Sequence, residues 1–223
     1  MEKLLNSELE EQIRQVFQEV KEPVVVLFFG STKERCDYCK DAQQMLEELS
    51  ALSDKIELQV YDLEENSAIA EKYRVTMAPG IVMTRKQGDE LIDYGVRFAG
   101  IPAGHEFTSL VRSFLLVSSG DSGLKPATRK FLETLKKPVH LQVFVTPTCP
   151  YCPQAVMMAH QMAVESPLVE AVMVEAMEFP ELSTRYGVGG VPHTVINYDA
   201  ESLVGAAPET MLVEKIKLAA VKA

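Results

Sequence analysis

The chain has 223 residues, 47% of them hydrophobic, and a formal net charge of −10 at pH 7. That length suits two domains of about 110 residues, and an acidic balance with no long basic run excludes a nucleic-acid partner. Met1 to Asn6 lack an apolar signal core and soon turn acidic, and no stretch approaches the ~20 apolar residues of a membrane span, so no secretory leader and no membrane partner are expected. We therefore expect a cytoplasmic protein, a compartment where paired cysteines are more often catalytic or metal-binding than static staples.

In chain order, Ser7 to Val20 reads as an amphipathic helix, with Ser7 and Glu10 as a capping box and Leu9, Ile13, Val16, Phe17 and Val20 as one apolar stripe. Pro23 ends it. Val24 to Phe29 is an apolar run of strand length, covered on both faces. After the turn Gly30 to Arg35 comes Cys36-Asp37-Tyr38-Cys39, then a helix, Lys40 to Leu52. Ile56 to Tyr61 is a strand and Glu64 to Arg74 a short helix. Val75 to Gly80 leads into a strand at Ile81 to Thr84. Gln87-Gly88-Asp89 turns into a strand near Leu91 to Val96, and a helix from Ala103 to Val117 closes the unit.

Ser118-Ser119-Gly120-Asp121-Ser122-Gly123 is small and polar throughout and reads as a linker. Beyond it the order returns. Pro126 to Lys136 is a helix and Val139 to Val145 an apolar strand. Cys149-Pro150-Tyr151-Cys152 and a helix from Gln154 to Ala163 follow. Val169 to Val174 is a strand, Glu178 to Tyr186 a short helix, Thr194 to Asn197 a strand, and Leu203 marks another. Pro208 to Ala220 ends the chain as a helix.

The return is arithmetic. Cys36 to Cys149, Cys39 to Cys152, Tyr73 to Tyr186, Val75 to Val188 and Pro79 to Pro192 are all separated by 113 positions. One offset shared along that stretch indicates duplication of a whole domain, far above the period of solenoid repeats. The expected division is 1–117 and 118–223.

Strand, two-cysteine turn, helix is a layout that makes a reactive thiol. At a helix start, free N–H groups and the helix dipole favour a negative charge, which lowers a thiol pKa. The second cysteine, one turn on, can attack a mixed disulfide formed by the first. We therefore expect Cys36 and Cys149 to attack and Cys39 and Cys152 to resolve. Around Cys149 no charged residue occurs from Val145 to Met158, whereas Asp37 sits inside the first tetrad. On that count the second site is expected to carry most of the activity.

These residues carry a resemblance. Each half looks like a thioredoxin-fold unit, an α/β unit with a mixed central sheet flanked by helices, and Cys149-Pro150-Tyr151-Cys152 matches the glutaredoxin tetrad. Two fused units, each keeping its CxxC, resemble the protein disulfide oxidoreductases (glutaredoxin-like proteins) of thermophilic archaea and bacteria. The resemblance implies cis peptides at Ala78-Pro79 and Val191-Pro192, packed beside the cysteines. It also implies that Ala78 and Val191 present their backbone to an extended substrate, and that the chain reduces, forms or isomerises protein disulfides. Protein dithiols and disulfides are then the partners, with a thioredoxin-reductase-type electron donor; no organic cofactor and no metal are expected. Thioredoxins carry a buried acid on the strand before CxxC. Neither apolar strand here has one, which leaves Asp62 or Glu175 as substitutes.

Other readings stand beside this one. The four cysteines could ligate one zinc or form inert disulfides. Tyr38 and Tyr151 cover the active-site surface or contact substrate. His193 follows the second proline, but a lone histidine is more often structural. An alternative function is a dedicated electron carrier for a peroxiredoxin-type partner, like the duplicated N-terminal part of that partner's flavoprotein. There, the resemblance implies, only one half keeps CxxC, whereas here both do. A chaperone-like scaffold is a third reading, one that would survive loss of all four cysteines.

Overall fold

The computed structural model describes residues 3–222. The first half comprises α1 (Ser7–Phe17), β1 (Val24–Gly30), α2 (Cys39–Ser50), β2 (Ile56–Asp62), α3 (Ser67–Lys72), β3 (Gly80–Gln87), β4 (Glu90–Ala99) and α4 (Glu106–Ser119). The second comprises α5 (Pro126–Leu132), β5 (Val139–Val145), α6 (Cys152–Glu165), β6 (Val169–Glu175), α7 (Pro180–Arg185), β7 (His193–Ile196), β8 (Glu201–Val204) and α8 (Glu209–Lys222).

The expected elements all form, with shifted ends. The cap of α1 is Asn6 rather than Ser7: its Oδ1 accepts the Leu9 N–H at 2.9 Å. The expected linker is not loose. Its first two residues finish α4, Gly120 caps that helix in the left-handed region at φ 65°, and Ser118 and Ser122 are buried. Ser118 Oγ accepts the N–H groups of Lys21 and Glu22 at 2.7 and 2.9 Å, which ties the linker to the start of β1.

The strands join into one eight-stranded sheet in the order β2-β1-β3-β4-β6-β5-β7-β8. The halves meet edge to edge through β4 and β6, parallel from Val96↔Ala171 to Ala99↔Val174. One face carries a continuous core under α2, α4 and α6, including Phe28, Leu46, Phe98, Phe114, Val143 and Val156. The other face is covered separately in each half, by α3 over Val25, Leu27 and Phe29 and by α7 over Phe144 and Val174.

The seam is polar as well as apolar. Arg97 is buried, yet its guanidinium reaches both Asp93 carboxylate oxygens at 3.0 and 2.7 Å and the Tyr73 carbonyl at 3.0 Å. Glu170 of β6 answers with Arg74 at 2.6 Å and Arg97 at 3.4 Å. Although burial acts to raise the Glu170 carboxyl, these partners and His140 hold it down at about 2. His160 of α6 lies behind the seam, against Ser113 Oγ at 3.0 Å and the Arg97 carbonyl at 3.2 Å. No helix among the described residues is long and apolar enough to cross a membrane.

Candidate active site

Strand direction fixes where the cysteines go. The pairings make β1, β2, β4, β5 and β6 run the same way. The turns after β1 and β5 therefore leave from one edge of the sheet. Each turn ends at a helix whose first residue is the second cysteine, Cys39 for α2 and Cys152 for α6. The first cysteine lies in the turn just outside. Cys36 is bonded to Cys39 and Cys149 to Cys152, with Cα separations of 5.4 and 5.5 Å. From β1 to β5 is four strand steps, roughly 19 Å at ~4.8 Å each. That distance removes the reading of four ligands on one zinc.

Both X–Pro peptides are cis, as the resemblance implies. Register places them at the same edge: Gly80 pairs with Phe29 and His193 with Phe144, so Pro79 and Pro192 stand beside the ends of β1 and β5. A Cβ on Gly30 would lie 3.6 Å from Cys39 Sγ, so the end of β1 touches the first disulfide. Ala78 and Cys36 line one cleft, and Val191 packs against the core that holds Cys149 and Cys152. Tyr38 and Tyr151 are exposed, at 46% and 68%. His193 is not brought to the cysteines. It shares the opposite face with Phe144, buried, with neither ring nitrogen hydrogen-bonded, and burial lowers its pKa.

The chain matches a thioredoxin model over residues 2–97 and a thioredoxin-domain model over residues 139–217. A protein disulfide oxidoreductase from Aeropyrum pernix K1 is 31% identical, with 97% of this chain and 94% of that one superposing at a TM-score of 0.88. The chain belongs to the protein disulfide oxidoreductases of tandem thioredoxin fold. It carries two CxxC pairs of the thiol–disulfide oxidoreductase type, one in each thioredoxin unit. It is also similar to the N-terminal domain of alkylhydroperoxide reductase AhpF from Enterococcus faecalis V583, 27% identical over 95% of this chain and 99% of that one, with a TM-score of 0.85. The F component of alkyl hydroperoxide reductase from Staphylococcus aureus is 28% identical over 195 residues, 87% of this chain. The chain spans about a third of the length of those curated relatives, 34% of each.

Within this disulfide oxidoreductase the two sites have different surroundings. Cys36 and Cys39 are half-buried, whereas Cys149 is 8% and Cys152 0% exposed. Arg35 closes on Asp37 with its Nη2 at 2.5 Å from Oδ2, so the carboxylate inside the first tetrad carries its own counter-ion. In α2 the first helical bond runs from Ala42 N–H to the Tyr38 carbonyl, which leaves the N–H groups of Cys39, Lys40 and Asp41 facing the turn. In α6, Pro153 removes one such donor.

The structure also locates acids. Asp62 is held in its ionised form by backbone N–H groups. The N–H of Glu65, with those of Thr32 and Glu64, holds its carboxyl down at about 2. Glu175 is buried and raised by that burial; its Oε2 accepts the Glu178 N–H at 2.6 Å. Glu178 Oε1 accepts the Ile101 N–H at 2.6 Å, and burial first, then repulsion from Glu175 and Asp37, pushes its carboxyl up to about 7. Sequence reading missed Glu106. It is 1% exposed, takes a 2.6 Å hydrogen bond from Ser109 Oγ, leaves Oε1 without a partner, and is pushed up to about 7 by burial. In the sequence it looks like any acid in a first helical turn.

The turn just before Glu106 reaches the chain ahead of the second site. His105 donates its N–H to the Pro147 carbonyl at 2.9 Å, two residues before Cys149. Gly104 makes this approach possible: at φ 60° it has no Cβ, and one would stand 2.3 Å from the Pro147 oxygen. The 100–105 loop of the first half thus lies between the two disulfides.

Proposed function

We propose that both dithiols exchange with protein disulfides, Cys36 and Cys149 attacking and Cys39 and Cys152 resolving. A thiolate takes one sulfur of the substrate disulfide and expels the other; the resolving thiol then attacks the mixed disulfide and frees the second substrate thiol. Two electrons pass to the substrate and the CxxC pair ends oxidised. Run backwards, the same steps oxidise a substrate dithiol. The observation that carries this reading is the repeated placement of a disulfide at a helix start with an X–cis-Pro peptide beside it. Ala78 and Val191 offer the backbone, and Tyr38 and Tyr151 cover the rims. Glu106, next to the His105 that bonds the Pro147 carbonyl, exchanges the proton at the Cys149 site. A thioredoxin-reductase-type protein is the electron donor, and the cytoplasm the place of action.

The similarity to AhpF favours one second reading, in which the chain passes electrons to a peroxiredoxin-type partner. One experiment separates the two. Insulin reduction by dithiothreitol is followed with wild type, Cys39→Ser and Cys152→Ser. Acceleration by wild type, with mixed disulfides trapped through Cys36 and Cys149 in the variants, is expected. No acceleration, with fast reduction of a peroxiredoxin instead, would select the carrier reading.

A further inference from the structure

The cleft of about 1650 Å³ that opens at Cys36 is walled by both halves of the chain. Cys36, Tyr38 and Ala78 line one side, and Met177, Glu178 and Leu182 the other. The volume exceeds the ~300–1,000 Å³ of a small-ligand pocket. Three features describe an occupant. Ile101 and Phe107 give it an apolar lining, and Met177, between β6 and α7, stands 75% exposed at its mouth. A large apolar side chain held out beside a reactive disulfide is a contact in search of a partner. Four exposed carboxylates line the cleft, those of Glu34, Asp37, Asp41 and Glu181, against the guanidinium groups of Arg35 and Arg185; Glu175 and Glu178 lie deeper in the wall and bond to backbone. Arg35 is already engaged by Asp37.

We infer that the Cys36 site takes an extended polypeptide segment whose disulfide is flanked by basic and apolar side chains, and that α7 of the second half selects it. The inference rests on the exchange chemistry proposed above for Cys36. Acidic walls attract Lys and Arg and repel Asp and Glu, which sets the encounter rate and the preference among partners. Ala78, before its cis proline, lies on the same wall as Cys36 and offers backbone to the extended segment. Once the substrate is reduced, Cys36 and Cys39 are left as the disulfide and the substrate as two thiols, so nothing beyond a reductant for the pair is required.

The test uses the full chain with Cys149→Ser and Cys152→Ser, reduced beforehand with dithiothreitol and freed of it. Its oxidation is timed with two disulfide peptides of equal length and apolar content, one with Lys and one with Glu beside the cysteines. Hydroxyethyl disulfide, small and neutral, is the third probe. We expect the Lys peptide to react roughly tenfold faster than the Glu peptide at low salt, with the ratio shrinking at high salt. Glu181→Lys, an exposed position on α7 of the second half, should cut the ratio about threefold, and Glu181→Gln by less. Equal rates for the two peptides would overturn the inference, as would a ratio that ignores both substitutions. So would a dimer in which a second copy fills the cleft and shuts out both peptides. Failure to react even with hydroxyethyl disulfide would instead strike at the exchange chemistry of the site.

Discussion

Cys36 and Cys149 occupy equivalent places in two copies of one fold, yet their surroundings have parted. Cys36 opens on a broad acidic cleft and keeps a balanced ion pair beside it. Cys149 is nearly closed over and has no charge on its own turn, and the loop of the other half bonds to the chain two residues before it. A charge count along the sequence favours the second site, because Asp37 repels a thiolate. The fold weakens both premises: Arg35 cancels Asp37, and burial of Cys149 opposes its ionisation. We expect access, rather than the local charge count, to decide which site serves a bulky substrate.

The largest effect should come from removing one attacking thiol at a time. Cys36→Ser should slow reduction of a protein disulfide at least tenfold, and Cys149→Ser by only a fewfold. Insulin turnover, with the alkylation rate of each remaining thiol against pH, measures this. The reverse order would mean that the cleft is not the entry for large substrates.

The contact between the sites offers the next test. An Ala at Gly104 would take a strained left-handed φ and drive Cβ into the Pro147 carbonyl oxygen. We expect roughly 2–4 kcal/mol of destabilisation in a denaturant titration, the range for strain plus a backbone clash. In molecules that still fold, Cys149 alkylation should shift more than Cys36 alkylation, since the displaced loop carries Glu106. Equal shifts would place the loop's influence on both sites alike.

Much of this was legible in the sequence and some was not. The offset of 113 fixed the two units and aligned the cysteines with their prolines. The joining of the two sheets was hidden because β4 was expected to stop near Val96. Arg97 breaks the apolar run there, and only the fold shows that Asp93, Tyr73 and Glu170 make its burial possible. The pairing of Arg35 with Asp37 was within reach, two residues apart, but charge counting treats such neighbours as independent. Glu106 could not have been found: its burial shows only in the folded chain, and in the sequence it is an ordinary acid at a helix start.

Glu106 gives a pH prediction. Its carboxyl sits at about 7 in the folded chain, against an ordinary 4.5. Between those values the unfolded chain releases its proton first, so stability falls as pH rises from 4.5 to 7, and the full penalty holds above 7. Glu106→Gln removes the penalty, and should stabilise the protein by up to about 3 kcal/mol at pH 8 and by nothing near pH 4. The same variant should flatten the pH profile of exchange at Cys149 and leave that at Cys36 unchanged. Denaturant midpoints across pH and single-site rates read both effects. An unchanged Cys149 profile would leave Glu106 a buried acid with no part in exchange.

The smallest expected effect concerns the ion pair beside Cys36. Arg35→Ala leaves Asp37 uncompensated next to the thiol, which disfavours the thiolate; Asp37→Asn does the opposite, leaving Arg35 to favour it. Both side chains are exposed, at 86% and 55%, so solvent and salt screen either change. A second compensation works inside the sulfur chemistry. A thiol with a raised pKa is less ionised but more nucleophilic as its thiolate, and the two trends partly cancel in the attack rate. Arg35→Ala should therefore slow exchange at Cys36 by less than about threefold at low salt, an effect that fades at high salt. The double variant Arg35→Ala, Asp37→Asn should return close to wild type, because it removes a balanced pair rather than a net charge. A loss of tenfold or more from Arg35→Ala that persists in high salt would show the guanidinium touching the substrate. Arg35 would then be a substrate contact within the cleft wall, and the contrast between the sites would rest on contact as well as access.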